Sequence, residues 1–263
     1  MRAKKSLGQN FLRDQIVVNK IVGALNLREG ETVIEIGPGT GALTETLLEE
    51  AGRVIAVEFD RDMVAVLQER FGRAINFKLV NADALGVDFA SLLPPERSGQ
   101  KVKLIANLPY NISTPILQRL IEQREMFSEL ILMFQREVVD RIIASAGGKE
   151  RGFLSVMVED AFSTEHLFDV SPRAFQPVPK VWSSVIRLKP KEETTPEPKK
   201  FRRLVSTAFM QKRKTIFNNL KSSYEDAATL LETSGIDGKR RAETLTLNEW
   251  RSLTAAVVRS GQN

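Results

Sequence analysis

The chain has 263 residues, 38 Lys and Arg against 33 Asp and Glu, a formal net charge of +5, one histidine and no cysteine. Without cysteine there are no disulfides, thiolate-ligated metals, iron–sulfur clusters or thiol nucleophiles, and the single His166 leaves no imidazole-based triad or histidine-rich metal site. The 42% apolar content suffices for a real core; no stretch approaches the ~20 apolar residues of a membrane span, and the N-terminus shows no signal-peptide run. These features predict a cytoplasmic protein of one large domain with a small satellite, whose positive charge suits a polyanionic partner.

Residues 1–28 are basic, with Arg2, Lys4, Lys5, Arg13, Lys20 and Arg28 against Asp14 alone. Gly8–Leu12 reads as an irregular segment, and Ile16, Val17, Lys20, Ile21, Ala24 and Leu25 as the stripe of a helix. The apolar run Thr32–Ile36 then enters G-P-G-T-G at 37–41, followed by a helical pattern over Ala42–Glu50. A strand entering a glycine turn and then a helix opens a nucleotide-type pocket in α/β sheets. The glycines are expected to leave backbone N–H groups uncovered for a ligand. Their spacing is not that of a dinucleotide fingerprint, and the missing Lys-Ser or Lys-Thr excludes a phosphate-binding P-loop.

Arg53–Val57 predicts a second strand ending on Glu58, where a carboxylate accepts both hydroxyls of a ribose or stands as an exposed strand end. Asp60 is placed to cap a helix over Met63–Phe71. A third strand over Asn76–Val80 leads to Asp83, either an acceptor for an adenine amine or a helix N-cap. A fourth, Val102–Ala106, runs into Asn107-Leu108-Pro109-Tyr110, which puts an amide, a rigid carbonyl and an aromatic face at the ligand edge of the sheet. Ser113-Thr114-Pro115 opens a helix. Glu129–Phe134 predicts a fifth strand, Val138–Ala144 and Phe153–Phe162 helices, and Glu165–Val170 and Val181–Leu188 late strands. The proline-rich loop between those strands is expected to present Phe175.

The charged, Pro-rich stretch 189–200 marks a domain boundary. Beyond it the pattern is helical only, with helices over Ala227–Thr233 and Leu247–Val258. Lys199–Tyr224 holds eight basic residues and no acidic one, with Arg202, Arg203, Lys212, Arg213, Lys214 and Lys221 set among Phe201, Leu204, Phe209, Ile216 and Leu220. Clustering of one sign favours phosphate binding over a merely solvated face. The expected architecture is an α/β, Rossmann-like sheet with a small C-terminal all-helical domain. Its parts are a basic arm and helix over 1–30, a Rossmann-like domain over 31–190 and a helical domain suited to phosphates over 191–263.

Glycine turn, Glu58, Asp83 and Asn107 together describe a pocket for an adenosine-type ligand with free ribose hydroxyls. An amide and a tyrosine beside it suit an aromatic amine as second substrate. Acceptors on such an amine make its delocalised nitrogen more pyramidal as a methyl arrives, and Tyr110 is placed to stack on the base and align it. No general base is required beforehand, because the N6 proton becomes acidic only as the nitrogen gains positive charge.

G-Q-N-F-L at 8–12, V-I-E-I-G-P-G-T-G at 33–41, Glu58, N-A-D-A-L at 81–85, N-L-P-Y at 107–110 and F-Q-P-V-P-K-V at 175–181 closely resemble the bacterial 16S ribosomal RNA adenine-N6 dimethyltransferases, relatives of the erythromycin-resistance 23S enzymes. F-M-Q-K-R-K-T-I-F-N-N-L at 209–220 looks like the small-subunit branch. The resemblance implies S-adenosyl-L-methionine as cofactor and dimethylation of two adjacent adenosines near the 3′ end of 16S rRNA, in the 30S subunit or its precursor. It implies cofactor contacts from Asn10, Leu12, Gly37, Glu58, Asp83 and Asn107, catalysis at Asn107, Leu108, Pro109 and Tyr110, and Phe175 stacked on the target base. Lys180 joins the basic residues above as an RNA contact. A monomer with no membrane association, no metal and a part in ribosome assembly is expected. The rival readings are a 23S or DNA adenine methyltransferase, disfavoured by the C-terminal motif, and a non-catalytic assembly factor, disfavoured by the intact N-L-P-Y.

Overall fold

The structure, a computed structural model, describes residues 10–97, 99–108 and 112–261. The elements follow as β1 (Phe11–Leu12), α1 (Gln15–Gly23), β2 (Thr32–Ile36), α2 (Ala42–Glu50), β3 (Arg53–Glu58), α3 (Arg61–Phe71), β4 (Phe77–Asn81), β5 (Val102–Asn107), α4 (Ser113–Glu122), β6 (Phe127–Gln135), α5 (Arg136–Ile142), α6 (Phe153–Ala161), β7 (Phe162–Val170), β8 (Phe175–Gln176) and β9 (Ser183–Pro190). Four helices close the chain: α7 (Pro198–Ala208), α8 (Ile216–Leu220), α9 (Ala227–Thr233) and α10 (Leu247–Arg259).

Seven strands form one sheet in the order β4-β3-β2-β5-β6-β9-β7. β2, β3, β4, β5 and β6 run parallel, and β9 joins β6 antiparallel. Strand order reverses between β2 and β5, so the crevice at their carboxyl ends is the topological switch point where such sheets bind ligands. Val33, Val54, Ile105, Ile131 and Met133 form a core with Val18, Ile21 and Val22 of α1 and Leu43 and Leu47 of α2. The alternate residues Ile34, Ile36, Ile55, Val57 and Leu104 are also buried. Coverage on both faces explains why these strands read as continuous apolar runs.

Helix starts follow local chemistry. Asp14 caps α1, accepting from the N–H groups of Ile16 and Val17, and Asp60 caps α3 through Asp62 N–H. The glycine turn is different. Gly41 stands at φ 86°, and a Cβ there would lie 2.4 Å from the Phe71 ring, so α2 can begin this close to α3 only without a side chain.

Two compact units emerge: Met1–Val139 with Ser163–Pro190, and Asp140–Phe162 with Lys191–Asn263. The helical unit thus draws on a segment ahead of the Pro-rich stretch. Within it, Phe201, Leu204 and Val205 of α7, Ile216 and Leu220 of α8 and Trp250, Leu253 and Val257 of α10 are buried, with Phe209 stacked on Trp250 at 5.9 Å. Asp160 of α6 accepts from Arg251 of α10 (2.9 Å) and from the Thr195 hydroxyl (3.0 Å). Arg151, fully buried, donates to Glu159, Ala144 O and Leu245 O.

Two expectations change here. The stretch 209–215, expected to be helical, is a turn, so Lys212, Arg213 and Lys214 sit on a loop and not on a helix face. Buried Asn219 holds that loop: its Nδ2 donates to Ala208 O (2.7 Å) and Gln211 O (3.2 Å). Gly8–Leu12, expected to be irregular, contains a strand: β1 pairs antiparallel with β8, Phe11 opposite Gln176 and Leu12 opposite Phe175. Among the described residues no helix is long and apolar enough to cross a membrane.

Candidate active site

Strands β2, β3, β4 and β5 deliver their last residues to one place. A cavity of about 310 Å³ is lined by Asn10, Phe11 and Leu12, by the turn after β2, by Glu58, Phe59 and Asp60 after β3, by Ala82–Leu85 after β4, and by Asn107, Leu108, Ile112 and Phe175. Its volume lies in the range of small-molecule sites. The sheet register accounts for the convergence: Ile36 is opposite Val57 and Ala106, and Glu58 is opposite Asn81, so four strands end level with one another. A Cβ on Gly37 would come within 3.9 Å of Asn107 O, which sets the turn against the end of β5.

The glycine amides are not uncovered, contrary to expectation. Gly37 N–H donates to Val57 O (3.0 Å), Gly41 N–H to Pro38 O (2.9 Å) and Gly39 N–H to Glu58 Oε2 (3.1 Å). The turn is tight enough to fold its own donors inward, and its use is close approach. Phe11 demonstrates this, since a Cβ on Gly39 would meet its ring at 3.1 Å.

Glu58 is buried, and its other oxygen accepts Asp60 N–H at 2.8 Å. Burial pushes its carboxyl above the ordinary range, and the N–H groups of Asp60 and Gly39 oppose that shift. The carboxylate is therefore held in one orientation, not left as an exposed strand end. Asp83 accepts Leu85 N–H at 3.0 Å in a turn, and no helix follows it to be capped. Phe175 lies in β8, 4% exposed and packed with Leu12, Ala174 and Val185, where the sequence suggested a residue presented on a loop. Pairing with β1 seats it there, where it lines the cavity. Pro109 and Tyr110 lie outside the described residues.

Glu35 and Phe59 are cavity residues with no role assigned from sequence. Glu35, in mid-β2, is fully buried, accepts the Thr44 hydroxyl at 2.7 Å, and is pushed by burial up to about 8. An acidic residue inside an apolar strand was its signal. Phe59 is 61% exposed beside Glu58 and lines the cavity; an aromatic directly after the strand-end carboxylate was the signal. His166 is not among the lining residues; its Nε2 is 2.9 Å from Asp169. No cluster of His, Asp and Glu suited to a metal ion occurs among the described residues.

The seven basic residues expected to meet RNA are all exposed. Lys180 belongs to the sheet unit, and Arg202, Arg203, Lys212, Arg213, Lys214 and Lys221 to the helical unit. Lys221 lies 5.7 Å from the Phe217 ring centroid.

The family model for ribosomal RNA adenine dimethylases matches residues 1–257. The chain belongs to the ribosomal RNA adenine dimethylase family. A Pseudomonas putida relative, "Ribosomal RNA small subunit methyltransferase A", is 44% identical over 250 residues, 94% of this chain and 91% of its own. The protein of the same name from Geobacter metallireducens is 42% identical over 269 residues, 99% of this chain and 98% of its own. Among solved structures, a Plasmodium falciparum dimethyladenosine transferase superposes with TM-score 0.78 at 26% identity, covering 96% of this chain and 98% of that one. The 23S rRNA methyltransferase ErmE superposes with TM-score 0.70 at 25% identity, covering 95% and 100%. The family's sheet and helical region are therefore both present in this chain.

Proposed function

We infer that this chain is an S-adenosylmethionine-dependent methyltransferase of the cytoplasm that dimethylates N6 of two adjacent adenosines near the 3′ end of 16S rRNA, in the small ribosomal subunit or its precursor. The observation that carries the reading is the convergence of Gly37, Glu58, Asp83 and Asn107 on one cavity at the ends of four adjacent parallel strands. The residues fit the cofactor: a fixed carboxylate for ribose hydroxyls, a second acceptor for the adenine amine, an aromatic side chain and a glycine-rich turn.

Bound S-adenosylmethionine supplies an electrophilic methyl group on a sulfonium. Glu58 accepts the ribose hydroxyls, its orientation held by Gly39 and Asp60, and Asp83 accepts the adenine amine. Asn10 and Leu12 form the wall that β1 lays beside the turn. Asn107 accepts from the target N6, which favours a pyramidal nitrogen with its lone pair directed at the methyl, while Leu108 and Pro109 fix the backbone around it. Tyr110 stacks on the target base and Phe175 backs the other face at the cavity edge. Positive charge would develop on N6 only as its bond to the methyl carbon forms and the carbon–sulfur bond breaks, so N6 would then lose its proton to water and the cofactor would leave as a neutral thioether. Lys180, Arg202, Arg203, Lys212, Arg213, Lys214 and Lys221 neutralise rRNA phosphates, which makes residues 191–263 the larger part of an RNA-binding domain.

The test is transfer of labelled methyl groups to unmethylated 30S subunits, 50S subunits and duplex DNA in parallel. Incorporation into 30S alone, approaching four methyl groups per particle, is expected. Incorporation into 50S or DNA at the same rate overturns the substrate assignment; none anywhere overturns the catalytic one.

A further inference from the structure

β6 lies beside β5 with Met133 opposite Asn107, and β9 pairs with β6 so that Val185 faces Met133 and Ser183 faces Gln135. Trp182, one residue before β9, accepts Arg136 N–H on its carbonyl at 2.9 Å. It therefore stands on the same edge of the sheet as Asn107, about 10 Å across two strand spacings and about 10 Å further along the strand direction. A few nucleotides of unstacked RNA cross that distance. The Trp182 side chain is 49% exposed, and Val178 and Val181 of the same loop are exposed at 63% and 36%. Elsewhere among the described residues the exposed large apolar side chains are Ile16, Ile75, Ile143 and Met210, spread along the chain, and Phe59 in the cavity.

The surroundings favour a polyanion. Lys180 is exposed on the same loop, Arg173 is exposed in the turn ahead of β8, and Arg136 just after β6 is exposed. Beside Trp182, at the ends of β6 and β7, stand the carboxylates of Glu137 and Asp169. Asp169 is engaged by Arg136 (3.6 Å), His166 (2.9 Å) and the Ser184 hydroxyl (2.6 Å), contacts with Ser184 foremost that hold its carboxyl below the usual range. An aromatic face interleaved with cations is how proteins hold unpaired bases without reading their sequence.

We propose that Trp182 is a stacking platform for an unpaired base flanking the target adenosine, with Lys180 and Arg136 on the adjoining phosphates. This rests on the rRNA-methylating function proposed above and adds a binding residue that the N-L-P-Y and F-Q-P-V-P-K-V motifs do not include. The platform holds the strand beside the reacting base, so it acts on substrate affinity and leaves the methyl-transfer step to Asn107.

The protein has two tryptophans, and Trp250 is buried in the helical unit, so RNA stacking should be read by Trp182 fluorescence. An unstructured adenine-rich oligoribonucleotide should quench the wild type and leave Trp182→Phe emission unchanged, although that variant still binds the RNA by anisotropy. With unmethylated 30S subunits, Trp182→Ala should raise KM about tenfold with kcat altered less than twofold and cofactor affinity retained, and Trp182→Phe should restore most of the loss. A wild-type KM in Trp182→Ala overturns the proposal while leaving the methyltransferase reading intact. A raised KM without RNA quenching also overturns it, since the loop would then meet a ribosomal protein. Failure of the wild type to methylate 30S removes both.

Discussion

The cavity and the basic helical unit recognise chemistry in opposite ways. At the cavity, Glu58 is buried and oriented by two N–H groups, Asp83 accepts Leu85 N–H, and Gly39 is covered by Phe11. In the helical unit the structure is fixed beneath the surface, by Asn219, Asp160 and Arg151, while the cations above it stay in solvent. A group preorganised in a low-dielectric pocket is hard to replace. Solvated charges act as a sum, each screened and each partly compensated by its neighbours. Single substitutions should therefore break the first region, and only multiple ones the second.

The largest effect is expected at Asn107. Asn107→Ala should lower single-turnover methyl transfer about 10²–10³-fold, because it removes the acceptor beside the developing charge, measured with 30S at saturating cofactor. Glu58→Ala should follow, weakening S-adenosylmethionine binding by about 1.5–3 kcal/mol through loss of a charged hydrogen-bond acceptor, read by calorimetric titration. Unchanged affinity in a folded protein would take Glu58 out of the site.

Glu35 sharpens the contrast by pH. Its folded carboxyl is raised from 4.5 to about 8 by burial, so between those values the folded state keeps a proton that the unfolded state has lost. Stability contributed by the neutral group is complete below pH 4.5, falls as pH rises toward 8, and changes no further above it. Glu35→Gln should lack this slope and gain about 1–3 kcal/mol relative to the wild type between pH 5 and 8, followed by urea unfolding. Parallel curves for the two proteins would place an ionised Glu35 in the core.

The smallest single-site effects belong to the basic loop. Replacing Lys212, Arg213 and Lys214 together by Gln should lower the slope of log affinity against log salt by about 2–3, with less than ~1 kcal/mol from each site and cofactor affinity unchanged. An unaltered slope would leave that loop a solvated surface.

Much of the cavity was legible because its parts follow from short-range patterns. Apolar runs that stop at Gly37, Glu58, Asp83 and Asn107 mark strand ends, and a parallel sheet gathers strand ends of one polarity. What could not be read depends on partners distant in sequence. β1 and β8 are two residues each and carry no periodicity, yet their pairing builds one wall and buries Phe175. The loop over 209–215 looks helical by its apolar spacing, but Asn219 draws the backbone carbonyls of Ala208 and Gln211 out of a helical path. Arg151 is fully buried, unusual for an arginine, and carbonyls of Ala144 and Leu245 and the Glu159 carboxylate accept from its two terminal nitrogens.

The central claim is that this cavity delivers two methyl groups to N6 of each of two adjacent adenosines. It is tested most directly by mass spectrometry of 16S rRNA from unmethylated 30S subunits incubated with protein and cofactor. N6,N6-dimethyladenosine at two neighbouring positions near the 3′ end, absent with Asn107→Ala, is the predicted result. Methyl groups on another base, or dimethyladenosine formed equally well by Asn107→Ala, would contradict it.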